Sequence, residues 1–457
     1  MKPRPRDRDA ARELTAGVAV GAMLAAAGLS CAGDAPVRPQ WLVTLRTDAP
    51  LPLVADRVLV EVTRADGALA CASCRRILDA SRPDAWPISF GVAASAPPFH
   101  VRARLHRARK LGPEGTPDLA TTIDARAALP PEPGPVAIEL RMRCVGVPST
   151  LDESCAPATG ELAPVAEAAA GAGDPAVVPG SWSEASSPPC ASAAPPEMVC
   201  VDGGLFFFGA FEREEGDEDQ LVRLSSFFLD RDEMTVGRAR ALFASGAIAG
   251  RPTLRGSGRS PESVCAFLGD ADARGDELAL NCVDRELARE LCAADGKRLP
   301  TDAELAYVAG NGARGTRYPW GDEEDICARA VVARGALPFE LDDGDVTIEC
   351  RSTDERTLPF GPARGGSPAD VTVSPAGIMN LGGNLAEWVD DAFGPLGGAC
   401  WSGRPLLVDP VCRVGGDAVL RGGAWAFEAW TASARFRVAT TVDGASSVGF
   451  RCARAAR

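Results

Sequence analysis

Cysteine is the residue that most limits how this 457-residue chain can fold: there are fifteen, from Cys31 to Cys452. So many thiols suit an oxidising compartment, where disulfides form and persist. Setting Cys31 aside leaves an even fourteen, consistent with a disulfide framework in an exported protein. Cys71 and Cys74 form a Cys-x-x-Cys within Leu-Ala-Cys-Ala-Ser-Cys-Arg-Arg. No helix cap precedes the first cysteine and no second such pair completes a zinc site, so the two read as a structural pair.

The first 30 residues agree with export. Lys2, Arg4, Arg6, Arg8 and Arg12 make a basic start, and the 17 residues Leu14 to Ser30 carry no charge. That run is short for a membrane span and suits a signal peptide. It ends at Leu29-Ser30-Cys31, which resembles a bacterial lipoprotein cleavage site with Cys31 as the lipidated residue. Gly28 stands where such sites usually carry Leu, and an ordinary secretory signal is the alternative. The expectation is an envelope lipoprotein, periplasmic or surface-facing, held to a membrane by its lipid. A net charge of −14 argues against nucleic acid as a partner, because phosphate backbones reward a basic surface.

Residues 31–149 form the next unit. Val58, Val60 and Val62 alternate with more polar neighbours, as do Val101, Ala103 and Leu105, and Val136, Ile138 and Leu140. Alternation places one face of a strand on a core and the other in water, and several such strands split by turns predict a small β-sandwich. The chain's two histidines, His100 and His106, fall on the polar side of one strand. They are too far apart along it to share a metal and read as solvent-facing. Residues 150–197, rich in Ala, Pro, Gly and Ser, read as a loose linker, its end tied by Cys190 and Cys200.

Residues 198–457 open on Met198-Val-Cys-Val-Asp-Gly-Gly-Leu-Phe-Phe-Phe, a strand, a turn and a second strand. Thr235 is placed to cap a helix through Phe243. A second helix is predicted from about Asp284 to Asp295, with Leu287 and Leu291 on one face and Gly296 ending it. Thr301-Asp302-Ala303-Glu304 is a capping box starting a third. Beyond residue 311 the chain is rich in Gly, Pro and Asp, with short strand-like pieces. The pattern is α+β.

The same region carries, in order, Glu233-Met-Thr-Val, Arg298-Leu-Pro-Thr-Asp-Ala-Glu304, Tyr318-Pro-Trp-Gly-Asp322, Gly383-Asn-Leu-Ala-Glu-Trp388, Arg421-Gly-Gly-Ala-Trp425 and Gly449-Phe-Arg-Cys452. Together these motifs resemble the formylglycine-generating enzyme family, also called sulfatase-modifying factors. The resemblance implies a C-type-lectin-like α+β fold over residues 198–457, preceded here by the all-β sandwich.

It also implies particular sites. A structural calcium ion would be held by the side chains of Asn380 and Glu387 and the carbonyls of Gly383 and Leu385, mixed oxygen ligation that suits calcium. The family's other calcium loop, after Trp320-Gly321-Asp322, lacks its usual Asn near Ala328-Arg329, although Asp342, Asp343 and Asp345 follow. Cys292 and Cys452 match a family disulfide. Cys265 with Cys282 and Cys400 with Cys412 are further local pairs, assigned by proximity in sequence.

The family's oxidase chemistry needs two thiolates to hold copper(I), a soft ion that harder ligands do not replace. In this chain the first thiol position falls on Phe427. The second falls on Ala432, or on Ser433 with one residue inserted. The serine of the oxidase motif is Ala424, and a motif tryptophan is Ala386. No copper is therefore expected, unless Cys400 or Cys412 supplied a relocated thiol. No histidine follows His106, which removes imidazole metal ligation and histidine acid–base chemistry from this region. The expected function is a non-catalytic binding or scaffold protein of the envelope. Its candidate ligand pocket is formed by Trp425, Phe427, Trp430 and Arg435, for a peptide, a glycan or an envelope protein. A divergent sulfatase-modifying oxidase is the alternative.

Overall fold

The computed structural model describes residues 39–93, 99–108, 116–186, 188–209, 220–257, 264–334, 350, 373–402, 404–441 and 444–456. The expected signal peptide, Cys31, and Asp342, Asp343 and Asp345 lie outside them.

Ten strands come first: β1 (Gln40–Thr47), β2 (Arg57–Arg64), β3 (Arg75–Asp79), β4 (Ile88–Ala93), β5 (Phe99–His106), β6 (Ile123–Ala128), β7 (Pro135–Leu140), β8 (Glu153–Cys155), β9 (Leu162–Pro164) and β10 (Ala169–Ala170). Two four-stranded sheets, ordered β10-β7-β1-β4 and β3-β2-β5-β6, share one core. Trp41, Val43 and Leu45 on β1, Val58, Val60 and Val62 on β2, and Val101, Ala103 and Leu105 on β5 meet there. These are the alternating positions of the sequence, so period-two patterning selects the buried face.

His106 departs from expectation: it is buried, with its ring nitrogen Nδ1 3.1 Å from the Arg104 carbonyl oxygen. His100 is half-buried. The outer face of β5 is not open to water. Arg102 pairs with Asp124 and Arg104 with Glu61, and Ser149 and Ser154 close over them through bonds to Arg102, Asp124 and the Arg126 amide.

The segment after Ser149 is likewise not a loose linker. β8 and β9 pair with each other, β10 adds to β7, Cys155 is bonded to Cys144, and Trp182 packs on the sandwich core. The segment is ordered despite its low hydrophobicity because backbone pairing and a disulfide hold it, with Ala168 and Trp182 adding contacts to the core.

The second region contains β11 (Met198–Val201), β12 (Gly204–Phe208), β13 (Gln220–Leu224), β14 (Phe227–Asp230), α1 (Val236–Ala244), α2 (Arg285–Ala294), α3 (Asp302–Ala309), α4 (Ile326–Arg329), β15 (Ala386–Ala392), β16 (Leu407–Val408), β17 (Ala418–Arg421), β18 (Arg437–Thr440), β19 (Val448–Gly449) and β20 (Ala453–Ala455). Its small sheets are β11-β14-β20, β12-β13-β16 and β18-β17-β15-β19. The expected α+β pattern of short strands and early helices is present.

Local signals placed the helices. Thr235 accepts from the Arg238 amide, Asp284 from the Leu287 amide, and Thr301 and Glu304 complete a reciprocal capping box. Gly296, just past α2, has φ +68°, a left-handed conformation that glycine adopts without Cβ strain. The buried face of α2 carries Leu287, Ala288, Leu291 and Cys292, and Cys292 is bonded to Cys452 beside β20.

β12 and β13 are covered on both faces. Leu205, Leu221 and Phe207 face the sandwich core, whereas Phe206, Phe208, Val222 and Leu224 face the core of the second region. The Arg107 guanidinium lies 4.0 Å from the centre of the Phe207 ring. Two-sided burial explains the unbroken Leu-Phe-Phe-Phe run.

Candidate functional site

The loop before β15 turns through two asparagines, Asn380 (φ +57°) and Asn384 (φ +68°), a residue type that tolerates the left-handed region. Both are buried. Their amide nitrogens donate to Glu233 Oε2 at 3.0 and 2.7 Å, and the Leu385 backbone amide donates to Glu233 Oε1 at 3.1 Å. Glu233 lies just before α1, so one carboxyl fastens the loop to the helix start. Burial, and next the Glu387 carboxylate, push the Glu233 carboxyl up to about 8.

Glu387, on β15, faces Arg451. Arg451 Nε lies 3.0 and 2.7 Å from the two carboxylate oxygens, and Nη2 lies 2.6 Å from Oε1. The remaining guanidinium contacts go to the carbonyls of Asp230, Arg231 and Met379. Both side chains are buried. With both carboxyls ionised, Glu233, Glu387 and Arg451 together carry one net negative charge. A proton on Glu233 offsets it, and so would a bound cation.

The donor set suits calcium in chemistry. Asn380 gives its nitrogen to Glu233, its side-chain amide also has a carbonyl oxygen, and Glu387 is a carboxylate, all hard donors of the kind calcium takes. Arg451 limits the fit: three of the roughly four lone-pair directions of Glu387 already accept from it, so this carboxylate has room for one metal contact. A cation here would be held by Asn380, Glu387 and the carbonyls of Gly383 and Leu385. Its role would be to stiffen the loop.

The second candidate region surrounds the positions matched to the copper thiolates. Phe427 is half-buried and meets Phe436 edge-on at 6.3 Å, and Trp430 meets the same ring edge-on at 5.3 Å. Trp430 Nε1 donates to Glu428. Ala432 is fully buried against Tyr318, Val332 and Ala333. Tyr318 and Trp320 stack at 4.9 Å. Ser433 lines a cavity of about 10 Å³ with Glu387, Arg421 and Gly422, about enough for one water. Ala424 and Ala386 are fully buried.

Trp425 does not line a pocket with these aromatics. It is fully buried, and its Nε1 donates to the Ser446 carbonyl. Phe427 and Trp430 remain together through Phe436, with Arg435 half-buried nearby in the chain.

A relocated thiol is ruled out at the two cysteines considered, because Cys400 and Cys412 are bonded to each other. The other pairs are Cys71–Cys74, Cys144–Cys155, Cys190–Cys200, Cys265–Cys282, Cys292–Cys452 and Cys327–Cys350. All fourteen cysteines after Cys31 are thereby engaged. Among the described residues the one cluster of three or more His, Cys, Asp or Glu ligand atoms is Cys190, Cys200 and Asp202, and its two sulfurs form a disulfide. Glu233 and Arg451 were legible as motif residues, but their partners lie 64 to 221 positions away, and no local signal names those.

The family model of the sulfatase-modifying factor enzyme 1-like domain matches residues 184–456. The chain is 32% identical over 165 residues to the formylglycine-generating enzyme of Streptomyces coelicolor, covering 35% of this chain and 46% of that one. It is 31% identical over 179 residues to inactive C-alpha-formylglycine-generating enzyme 2 of Bos taurus, covering 37% and 48%. The chain thus spans about half the length of the curated relatives it matches. Among solved structures, PvdO from Pseudomonas aeruginosa aligns at 20% identity and a TM-score of 0.41, over 59% of this chain and 99% of that one. Since the matched domain takes in more than half of the sequence, the chain belongs to the sulfatase-modifying factor enzyme 1-like family.

Proposed function

We propose that this chain is a non-catalytic binding or scaffold protein of the bacterial cell envelope, exported and held to a membrane through lipid on Cys31. The observation that carries the reading is side-chain chemistry at one place. By the resemblance, a benzyl ring at Phe427 and a methyl group at Ala432, or the hydroxyl of Ser433, stand where copper(I) needs two thiolates, and the remaining cysteines of the domain are in disulfides. A soft cation has no ligands there. The similarity to proteins named inactive formylglycine-generating enzymes supports the same direction.

Binding would use the half-buried aromatic group of Phe427 and Trp430 with Arg435 beside it, for a peptide or a glycan. Calcium held by Asn380, Gly383, Leu385 and Glu387 would be structural. The alternative, a divergent sulfatase-modifying oxidase, draws support from the similarity to a formylglycine-generating enzyme.

Incubation of the purified protein with copper(I), oxygen and a cysteine-containing sulfatase peptide separates the two readings. Recovery of unchanged peptide is expected. Loss of the thiol with gain of an aldehyde, read by mass spectrometry, would reverse the assignment.

A further inference from the structure

The Cys71–Cys74 disulfide differs from the other six. Five of those have at least one buried half-cystine, and Cys190–Cys200 is half-buried against the Met198 and Phe228 cluster. Cys71 is exposed, whereas Cys74 leans on the edge of the sandwich core. The bond spans three positions of sequence, the shortest loop of the set, so its constraint on the unfolded chain is the smallest.

Nor does the disulfide close the turn it sits in. Backbone bonds already do so: Arg64 N to Ala68 O, Gly67 N to Arg64 O, Ala70 N to Val62 O, Val62 N to Cys74 O and Cys74 N to Cys71 O. The strand that follows, β3, is the edge of its sheet and, among the described residues, pairs only with β2. Arg75, Arg76 and Ile77 on it are exposed, Ile77 by 63%. An open edge offers main-chain groups to an extended segment of another protein, directly beside the disulfide. Two arginines follow Cys74, and positive charge favours a thiolate.

We propose that Cys71 and Cys74 form a surface redox couple that exchanges with an external dithiol of the thioredoxin type. A thiolate of that protein attacks the exposed Cys71 Sγ, the bond to Cys74 breaks, and Cys74 leaves as a thiolate. The second thiol of the partner then attacks the mixed disulfide and releases the Cys71 thiolate. Two electrons pass to this chain, the partner ends as a disulfide, and the reverse sequence oxidises the pair again. The backbone bonds of the turn hold its shape in both states.

The test uses the full chain with a stoichiometric amount of reduced thioredoxin, followed by alkylation and peptide mapping. The expected result is alkylation of Cys71 and Cys74 in more than half of the molecules, at least tenfold ahead of Cys292 and Cys452. The melting temperature of this reduced form should stay within a few degrees of the oxidised one. The Cys71→Ser/Cys74→Ser double variant should fold and leave thioredoxin reduced. Persistence of the Cys71–Cys74 bond, reduction of Cys292–Cys452 at a similar rate, or failure of the double variant to fold would each overturn the proposal and leave a structural staple.

Discussion

Arg451 and Glu387 meet through three contacts of 2.6 to 3.0 Å, with both side chains buried. The pair joins the last motif of the chain to β15, and its Arg451 brings positive charge beside Glu233. Removing one partner strands the other charge. Arg451→Met is therefore expected to cost about 3–5 kcal/mol in urea unfolding. Glu387→Gln combined with Arg451→Met should cost markedly less than the sum of the single changes. Strict additivity would mean that the two groups do not depend on each other.

Cys292 and Cys452 close a loop of 160 positions, against 17 for Cys265 and Cys282. Chain entropy assigns about 5 kcal/mol to the first and about 3 kcal/mol to the second. Thermal unfolding of the two paired Cys→Ser variants should rank them in that order. Equal losses would show that local packing at the sulfurs dominates over loop closure.

The pH dependence of stability has a defined sign in the second region. Asp391, on β15, accepts from the Asp302 and Cys412 amides. Burial and the Asp302 carboxylate push it up to about 7. An acid raised in the folded state contributes stability that is complete below its unfolded value near 4 and is lost as pH rises to the folded value. Asp391 should thus lose its contribution between about pH 4 and 7, and Glu233 between about pH 4 and 8. Burial lowers His100 and His106, so their contribution runs the other way, present above about pH 6.5 and lost as pH falls. Urea midpoints of the protein and of Asp391→Asn across pH 5 to 8 isolate the first effect. The variant should show a weaker fall in stability with rising pH, and an unchanged slope would contradict the assignment.

Thiols introduced at the positions matched to the family's copper ligands should create a copper(I) site. Phe427→Cys with Ala432→Cys places two sulfurs where the family carries them, and copper(I) bound per chain should rise from near zero to near one by competition with a chromogenic chelator. Copper bound equally by the unaltered protein would mean that other ligands exist.

Calcium at Asn380 and Glu387 is open to direct titration. At a hundredfold excess over the dissociation constant, a specific ion stabilises by about 2.7 kcal/mol. The melting temperature should rise with calcium and fall with a chelator, and Asn380→Ala should abolish the shift. A flat response in the unaltered protein would leave Arg451 and a proton on Glu233 as the charge balance.

Much of this architecture was legible in the chain. The sandwich strands follow period-two patterning at Val58, Val60 and Val62, and the helix starts follow Thr235, Asp284 and Thr301. The pairings of Cys265 with Cys282 and Cys400 with Cys412 matched short spacing, and Cys292 with Cys452 matched the family motifs. The burial of His106, of the residues after Ser149 and of Trp425 does not follow from their own polarity or neighbours, because it depends on what another segment lays over them.

Local chemistry therefore dictated the elements: caps and strand alternation act within a few residues, and the absence of histidine after His106 is a matter of residue identity. Long-range packing chose the partners. Glu233 reaches Asn380 and Asn384 across about 150 positions, and Leu205 and Leu221 join the sandwich core while their neighbours turn to the other side. Such contacts form only once the chain has closed its loops, because apolar area and buried charge are satisfied by whichever surfaces meet in space.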